Sequence, residues 1–308
     1  MSRSLWTNME IEGATKAHTN GRKWSAAGVS IDSRKVQPKD IFIAFRGSRV
    51  DGHCYVADAF EKGAAAAIVE RKIDGLSEES PVLIVANVQK ALVQIACLAR
   101  KRSEAKFVAV TGSVGKTSSK NLLAKALAQF DSVHATIGNL NNHIGAPLSL
   151  ARLNGSSRFA VFELGMNNTG EIAFLSNLIR PKVALITNVH GVHLEQLKTE
   201  RAIAEAKAEI FNGLSENGSV VLNQDNPWID FLKSRAEKKG IKNIITFGED
   251  KKSDVQLLEW QPGEGKSFVK IQLKNEAHQY VLSETGKHRA LNSVGVLAVV
   301  HALGLDIQ

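Results

Sequence analysis

From Phe107 onward the chain repeats one order of events: a short apolar run, a turn, then an amphipathic stretch. FVAVT precedes a helix opening at Lys116, FAVFEL precedes EIAFLSNLI, VALITN precedes AIAEAKAEIFNGL, SVVLN precedes a helix beyond Pro227, and NIITF closes the series. Such runs, alternating with helices, argue a mainly parallel sheet with helices on both faces. Residues 253–283 change period. VQLLEW, SFVKIQL and QYVLS suit antiparallel hairpins, and a last helix is predicted from about Ala290 to Leu303. Before Phe107, IFIAF, AAAAIV and PVLIVA alternate with turns and lead into the helix-like ALVQIACLARKRSEAK. The expectation is an α/β chain of two domains: a small mixed α/β domain over residues 1–104, and a second over 105–308 with a mainly parallel sheet and a small antiparallel extension.

Length and composition allow this division, since 308 residues with 44% hydrophobic content suit about two domains with real cores. Cys54 and Cys97 fit neither a disulfide framework nor a zinc site. No apolar run approaches membrane-spanning length, and MSRSLWTNMEIEG lacks the apolar centre of a signal peptide, so a cytoplasmic setting is expected. The net charge of +8 divides evenly, with 16 Lys/Arg against 12 Asp/Glu up to residue 104 and 23 against 19 beyond it. Charge spread in that way is a solvated basic surface hospitable to anionic substrates, not the tail or stripe of a nucleic-acid binder.

VAVTGSVGKTSSKNLL, Val108 to Leu123, carries the clearest chemistry. The string G-x-x-x-x-G-K-[ST] is incomplete because Val110 stands where the first glycine belongs. Gly112, Gly115, Lys116 and Thr117 remain, with Ser113 and Ser118 beside them. Backbone N–H groups at a helix start can cradle phosphates, with Lys116 on the outer phosphates and Thr117 on magnesium, so ATP is the expected ligand.

Ligands of open parallel sheets sit beyond the carboxyl ends of the strands, which draws attention to Glu163, after the apolar AVF, and to His193 in NVHGVHLE. Each reads either as a satisfied structural polar residue or as a metal ligand, with the phosphate loop two strands away. Ile203, Lys207, Ile210 and Leu214 fall at i, i+4, i+7 and i+11, a single helical face with a lysine inside its apolar stripe. Lys207 can snorkel to solvent, or its charge can be paired or removed, as carbamylation by carbon dioxide would do.

TGSVGKTSSK, GNLNNHIGAPLSL, FELGMNNTGEI, ITNVHGVHLE and AKAEIF, in this order, resemble the Mur ligase family, and within it the MurF branch. SIDSRKVQPKDIFIAFRGSRVDGHCYVADAFEKGAAAAIV resembles the family's UDP-sugar-binding domain, and GKHRALNSVGVLAVVHALG the end of its P-loop ATPase domain. The resemblance implies an ADP-forming carboxylate-amine ligase of peptidoglycan precursor synthesis. ATP would phosphorylate the free carboxylate of UDP-N-acetylmuramoyl-tripeptide, and D-alanyl-D-alanine would attack the acyl phosphate. It further implies that Lys116 holds the transferring phosphate, Thr117 and Glu163 one Mg2+, and His193 with carbamylated Lys207 a second. Asn139 and Asn142 would line the acyl-phosphate region, Asn292 would contact adenine, and Ser33, Arg34 and the loop containing Arg46, Gly47, Asp51, Gly52 and His53 would hold the UDP-sugar.

Three departures accompany the likeness. Val114 stands where the family loop usually has a small polar residue, and Arg289 replaces the asparagine usual after GKH. Family members also continue into a Rossmann-like C-terminal domain that helps bind the amine, whereas this sequence stops at Gln308. On its own the chain is therefore expected to bind UDP-muramoyl tripeptide and ATP without forming the amide at enzymatic rates, unless a separate C-terminal domain or partner chain completes it. The competing reading is a truncated, non-catalytic binder of UDP-muramoyl peptide or nucleotide, with folylpolyglutamate synthase-like ligation a weaker third.

Overall fold

Runs of Val, Ala, Ile and Phe set the centre of each sheet in the computed structural model, which describes residues 4–47, 50–191, 199–214, 217–274 and 276–306. Contacts divide the chain into two units, Met1–Ser103 with Pro147–Gly155, and Glu104–Ala146 with Ser156–Gln308. A single cut after residue 104 takes no account of Pro147–Gly155. That segment is tied to the first unit by Trp6 Nε1, which donates to Ala151 O at 2.9 Å, and by Arg152 Nε, which donates to Val29 O at 2.6 Å.

In the first unit β1 (Trp6–Thr7) pairs antiparallel with β3 (Ser25–Ala26), and α1 (Asn8–Thr15) starts at a capping box in which Thr7 and Glu10 satisfy each other's orphan donors. A five-stranded sheet runs in the order β2 (His18–Thr19), β7 (Val82–Ile84), β6 (Ala66–Val69), β5 (Asp40–Ile43), β4 (Gly28–Ser30). All its pairs are parallel except the edge strand β2. α2 (Val56–Glu61) and α3 (Val88–Arg102) complete the unit. Val36, Phe42, Ala44, Val56, Ala67 and Val69 form one of its buried clusters.

The second unit is built on a nine-stranded sheet. Its strands are β8 (Lys106–Thr111), β9 (Val133–Ala135), β10 (Phe159–Glu163), β11 (Val183–Ile186), β12 (Ser219–Asn223), β13 (Asn243–Gly248), β14 (Val255–Gly263), β15 (Lys266–Leu273) and β16 (Glu276–Leu282). They lie in the order β16-β15-β14-β13-β12-β11-β8-β10-β9. Every pair from β14 to β9 is parallel, and the two pairs among β14, β15 and β16 are antiparallel. The mixed fold class with its antiparallel extension is thus the observed one. Helices α4 (Lys116–Leu127), α6 (Glu171–Ile179), α7 (Glu200–Ala208), α8 (Ile229–Lys238) and α9 (Lys287–Ala302) accompany the strands, while α5 (Gly145–Ala151) starts in this unit and continues into Pro147–Gly155 of the first. β9 and α5 had no counterpart in the expected series, and α9 begins about a turn before Ala290.

Two features of this topology matter for chemistry. After β8 the chain moves to β9 and β10 on one side, then crosses to β11 on the other, which makes the carboxyl end of β8 a switch point where open sheets bind ligands. Glu163 therefore stands on the strand next to the phosphate loop, opposite Val110, and not two strands away. The second feature is the end of α7. The helix tightens to 3₁₀ over Glu209–Gly213, where Ser176 Oγ donates to Ile210 O and accepts from Gly213 N. A Cβ on Gly213 would lie 1.9 Å from Ser176 O, so the close approach requires glycine. The predicted face Ile203–Lys207–Ile210–Leu214 loses its α-helical register there; Ile203 and Ile210 are buried, and Leu214 is half-buried.

Candidate functional site

The phosphate loop joins β8 to α4 through two glycines that no other residue could replace cheaply. Gly112 has φ of +153° and an added Cβ would meet Thr187 Oγ1 at 1.9 Å; Gly115 has φ of +85° and its Cβ would meet Asn292 Oδ1 at 2.8 Å. The segment after β11 laces this loop in place. Ser113 N donates to Asn188 O, Val114 N to Asn188 Oδ1, Thr187 Oγ1 to Val114 O, and Ser113 Oγ exchanges hydrogen bonds with the backbone of His190. Ser113 is consumed in this lacing. Val114, the departure from the family loop, projects outward at 54% exposure and disturbs none of it.

Lys116 curls over the loop, its Nζ donating to Gly112 O at 2.7 Å and Ser113 O at 3.2 Å. Burial lowers its pKa, partly offset by the Glu163 carboxylate. Ser113 to Ser118, with Asn121 and Arg289, line one concavity at the start of α4. Asn292 lies against Gly115 and donates to Ser118 Oγ at 3.3 Å, and Arg289 also pairs with Glu284.

Glu163 is 1% exposed, a carboxylate that must be partnered to be tolerated. Thr117 Oγ1 donates to its Oε2 and Asn141 Nδ2 to its Oε1, both at 2.8 Å. A carboxylate and a hydroxyl converging beside a phosphate loop form a hard oxygen donor set of the kind magnesium takes. Asn141 went unremarked in the sequence, where Asn139 and Asn142 drew attention. The structure gives those two different places: Asn142 Oδ1 accepts from the N–H groups of Ile144 and Gly145 at the start of α5, while Asn139 is exposed.

Lys207 does not reach solvent. It is 2% exposed, and burial together with the Lys116 ammonium lowers its pKa from 10.5 to about 7. Thr111, Gly112, Lys116, Asn139, Asn142 and Lys207 meet around one pocket, which Asn141 and Glu171 also line. The snorkelling alternative is excluded by that burial. His193 lies outside the described residues. Among those described, no group of three or more His, Cys, Asp or Glu side chains is placed to hold a metal.

The first unit holds the residues expected to bind a UDP-sugar. Arg34 is exposed and forked onto Asp32, whose pKa this pairing lowers to about 2. Ser33 O accepts from Lys62 Nζ. Arg46 and Gly47 are exposed, Arg46 is bridged to Asp51, and Gly52 N donates to Phe45 O. His53 is not available to a ligand: it is 2% exposed, its Nδ1 donates to Asp51 Oδ1 at 2.7 Å, and its Nε2 accepts from Glu70 N at 2.9 Å. These bonds from His53, with Arg71 on the other oxygen, hold the Asp51 carboxyl well below the usual range. Its position in the loop suggested a contact residue; its geometry makes it a staple. His53→Phe should lower unfolding stability by about 1–3 kcal/mol, because it leaves Glu70 N–H without its acceptor and removes the imidazole donor from Asp51 Oδ1. Chemical denaturation checks this, and an unchanged midpoint would remove the staple role.

Residues 110–300 match the family model described as Mur ligase middle domain, and residues 25–100 the one described as Mur ligase family, catalytic domain. The chain is 42% identical over 282 residues to the UDP-N-acetylmuramoyl-tripeptide--D-alanyl-D-alanine ligase of Escherichia coli (strain K12), covering 91% of this chain and 61% of that protein. A crystal structure of MurF from Acinetobacter baumannii superposes with a TM-score of 0.88 at 30% identity, over 98% of this chain and 65% of that one. MurF ligase from Thermotoga maritima in complex with ADP superposes with a TM-score of 0.77 at 29% identity, over 92% of this chain and 64% of that one. The chain spans somewhat less than two thirds of the length of each.

Proposed function

The chain belongs to the Mur ligase family, and from that premise we propose that it carries the ATP-dependent joining of D-alanyl-D-alanine to UDP-N-acetylmuramoyl-tripeptide in peptidoglycan precursor synthesis. The observation that carries this reading is the convergence of Lys116, Asn139, Asn142 and Lys207 on one pocket at the switch point of the sheet, with Glu163 held by Thr117 and Asn141 alongside. The MurF relatives supply the substrates and the ADP-bound neighbour the nucleotide.

The balance of the reaction fits these residues. A carboxylate oxygen of the tripeptide attacks the γ-phosphorus of ATP as the bond to ADP breaks. The amine nitrogen of D-alanyl-D-alanine then attacks the acyl carbon, phosphate departs with its bridging oxygen, and the amine gives up a proton. Phosphoryl transfer asks mostly for positioning and charge neutralisation. The loop N–H groups would hold the outer phosphates, Lys116 the transferring one, and Asn139 and Asn142 would face the acyl phosphate. Glu163 and Thr117 would hold one Mg2+, and His193 with a carbamylated Lys207 a second. Magnesium, when bound, would neutralise phosphate charge as it develops. A Lys207 amine that is substantially free base near neutral pH is the form that adds to carbon dioxide, losing a proton as the N–C bond forms. Ser33, Arg34, Arg46 and Gly47 would face the UDP-sugar in the first unit. We place the reaction in the cytoplasm, where ATP is supplied.

Calorimetric titration of the chain with Mg-ATP and with UDP-N-acetylmuramoyl-tripeptide should show saturable binding of both. The complete product of its reading frame should then release ADP and phosphate in step with pentapeptide once D-alanyl-D-alanine is added. Failure to bind either ligand would sink the assignment. Binding of both with no ADP formed would instead favour the non-catalytic binder.

A further inference from the structure

Lys120 has no part in the function proposed above, yet it is the most unusual side chain of helix α4. Its neighbours on the helix's inner face are Ser119, Leu123 and Leu127, and it is itself only 2% exposed. An ammonium there costs desolvation that an uncharged residue of similar volume would avoid. What Lys120 does is reach across to a loop. Its Nζ donates to Thr136 O at 2.6 Å and, more weakly, to Gly138 O at 3.5 Å. Among charged groups, the Glu163 carboxylate favours its protonated form against burial.

The gripped loop is continuous with the site. Thr136 Oγ1 accepts from Glu163 N at 3.4 Å, Asn141 N donates to Asn139 O at 2.7 Å, and Gly165 N donates to Asn141 O at 2.8 Å. A Cβ on Gly165 would fall 2.9 Å from the Asn141 side-chain amide, so loop and strand end are in close contact. Asn141 Nδ2 then reaches Glu163 Oε1. The segment 136–142 is thus anchored at its start by Lys120 and at its end by Glu163 and Gly165.

We propose that Lys120 is a positioning residue for phosphoryl transfer: by holding the carbonyls of Thr136 and Gly138 it fixes the Asn139–Asn142 loop, and through Asn141 the orientation of the Glu163 carboxylate. The role in turnover rests on the reading given under Proposed function, and the loop-holding role does not.

The test uses the complete reading-frame product, with Lys120→Met, Lys120→Arg and Asn141→Ala. Hydrogen exchange without ligands reads the loop alone, and steady-state kinetics read its consequence. Lys120→Met should speed amide exchange in 136–142 while leaving β8 and the far end of α4 unchanged. Its kcat should fall roughly tenfold to a hundredfold, with KM for ATP within about threefold of wild type, as for a residue that orients another without touching nucleotide. Lys120→Arg, which keeps a cation and donors, should recover part of both. Asn141→Ala should reproduce the kcat loss without altering exchange at 136–138, and it carries the kinetic test if Lys120→Met does not fold. Unchanged exchange in a folded Lys120→Met would overturn the loop-holding role. Wild-type kcat in Asn141→Ala, or a KM for ATP that rises as steeply as kcat falls in Lys120→Met, would overturn the positioning role. A wild-type enzyme that does not turn over would count against the proposed function and leave the exchange experiment standing.

Discussion

Lys116→Ala is expected to weaken ATP binding on the order of a hundredfold while leaving the fold intact. Among the described residues the Lys116 ammonium donates to Gly112 O and Ser113 O, carbonyls of its own loop. Removing it therefore breaks no link between elements, and the loop remains laced by Thr187, Asn188 and His190. On the proposed reading, what is lost is one charge-assisted phosphate contact in a partly desolvated site, worth about 2–3 kcal/mol. The variant also relieves the repulsion that Lys116 exerts on Lys207. Calorimetry with Mg-ATP gives the affinity, and thermal unfolding the control. Wild-type affinity would show that the loop does not take the outer phosphates through this lysine, whatever else it binds.

Much of this site was legible in the sequence for a physical reason: buried parallel strands write themselves as continuous apolar runs, and polar residues at their ends are conspicuous. Glu163 after AVF and Lys207 within an apolar stripe were conspicuous in that sense, and both prove to be buried at the switch point. What could not be read was adjacency. β9 intervenes in the chain between β8 and β10 but lies outside them in the sheet, so nothing local marked Glu163 as a direct neighbour of the phosphate loop. Asn141 and Lys120 were missed for the same reason. Each acts by reaching a strand or loop whose position is set by strand order, and a lysine four places after Lys116 reads as one more exposed helical residue. Asn188 was passed over in favour of His193, though the polar pair Thr187–Asn188 at the end of VALITN was an available signal. His53 shows the opposite case: the family resemblance implied a UDP-sugar contact, and only its burial shows both ring nitrogens spent inside the unit.

Lys207→Met should produce the largest divergence between stability and activity. The buried amine has its pKa lowered from 10.5 to about 7, so the folded chain gives up a proton that the unfolded chain keeps. Stability is linked to that difference: near and above pH 10.5 the amine is neutral in both states and burial costs little. As pH falls from there the unfolded chain gains a proton first, the folded state is progressively disfavoured, and the penalty is full below about pH 7. Lys207→Met removes the penalty, so in degassed, carbon-dioxide-free buffer it should be more stable than wild type by about 2–5 kcal/mol near neutral pH, a gap that closes toward pH 10. Activity should move the other way. If the amine becomes a carbamate that supplies a metal ligand, the methionine variant loses a group used as charge develops, and kcat should fall on the order of a hundredfold to a thousandfold with ATP affinity little changed. Wild-type turnover should meanwhile rise with added bicarbonate, whereas that of the variant should not. Denaturant melts across pH 7–10 and turnover with and without bicarbonate separate the two halves of this expectation. A flat stability difference would mean that Lys207 is not buried as a neutral amine, and wild-type turnover in the variant would remove Lys207 from the chemistry.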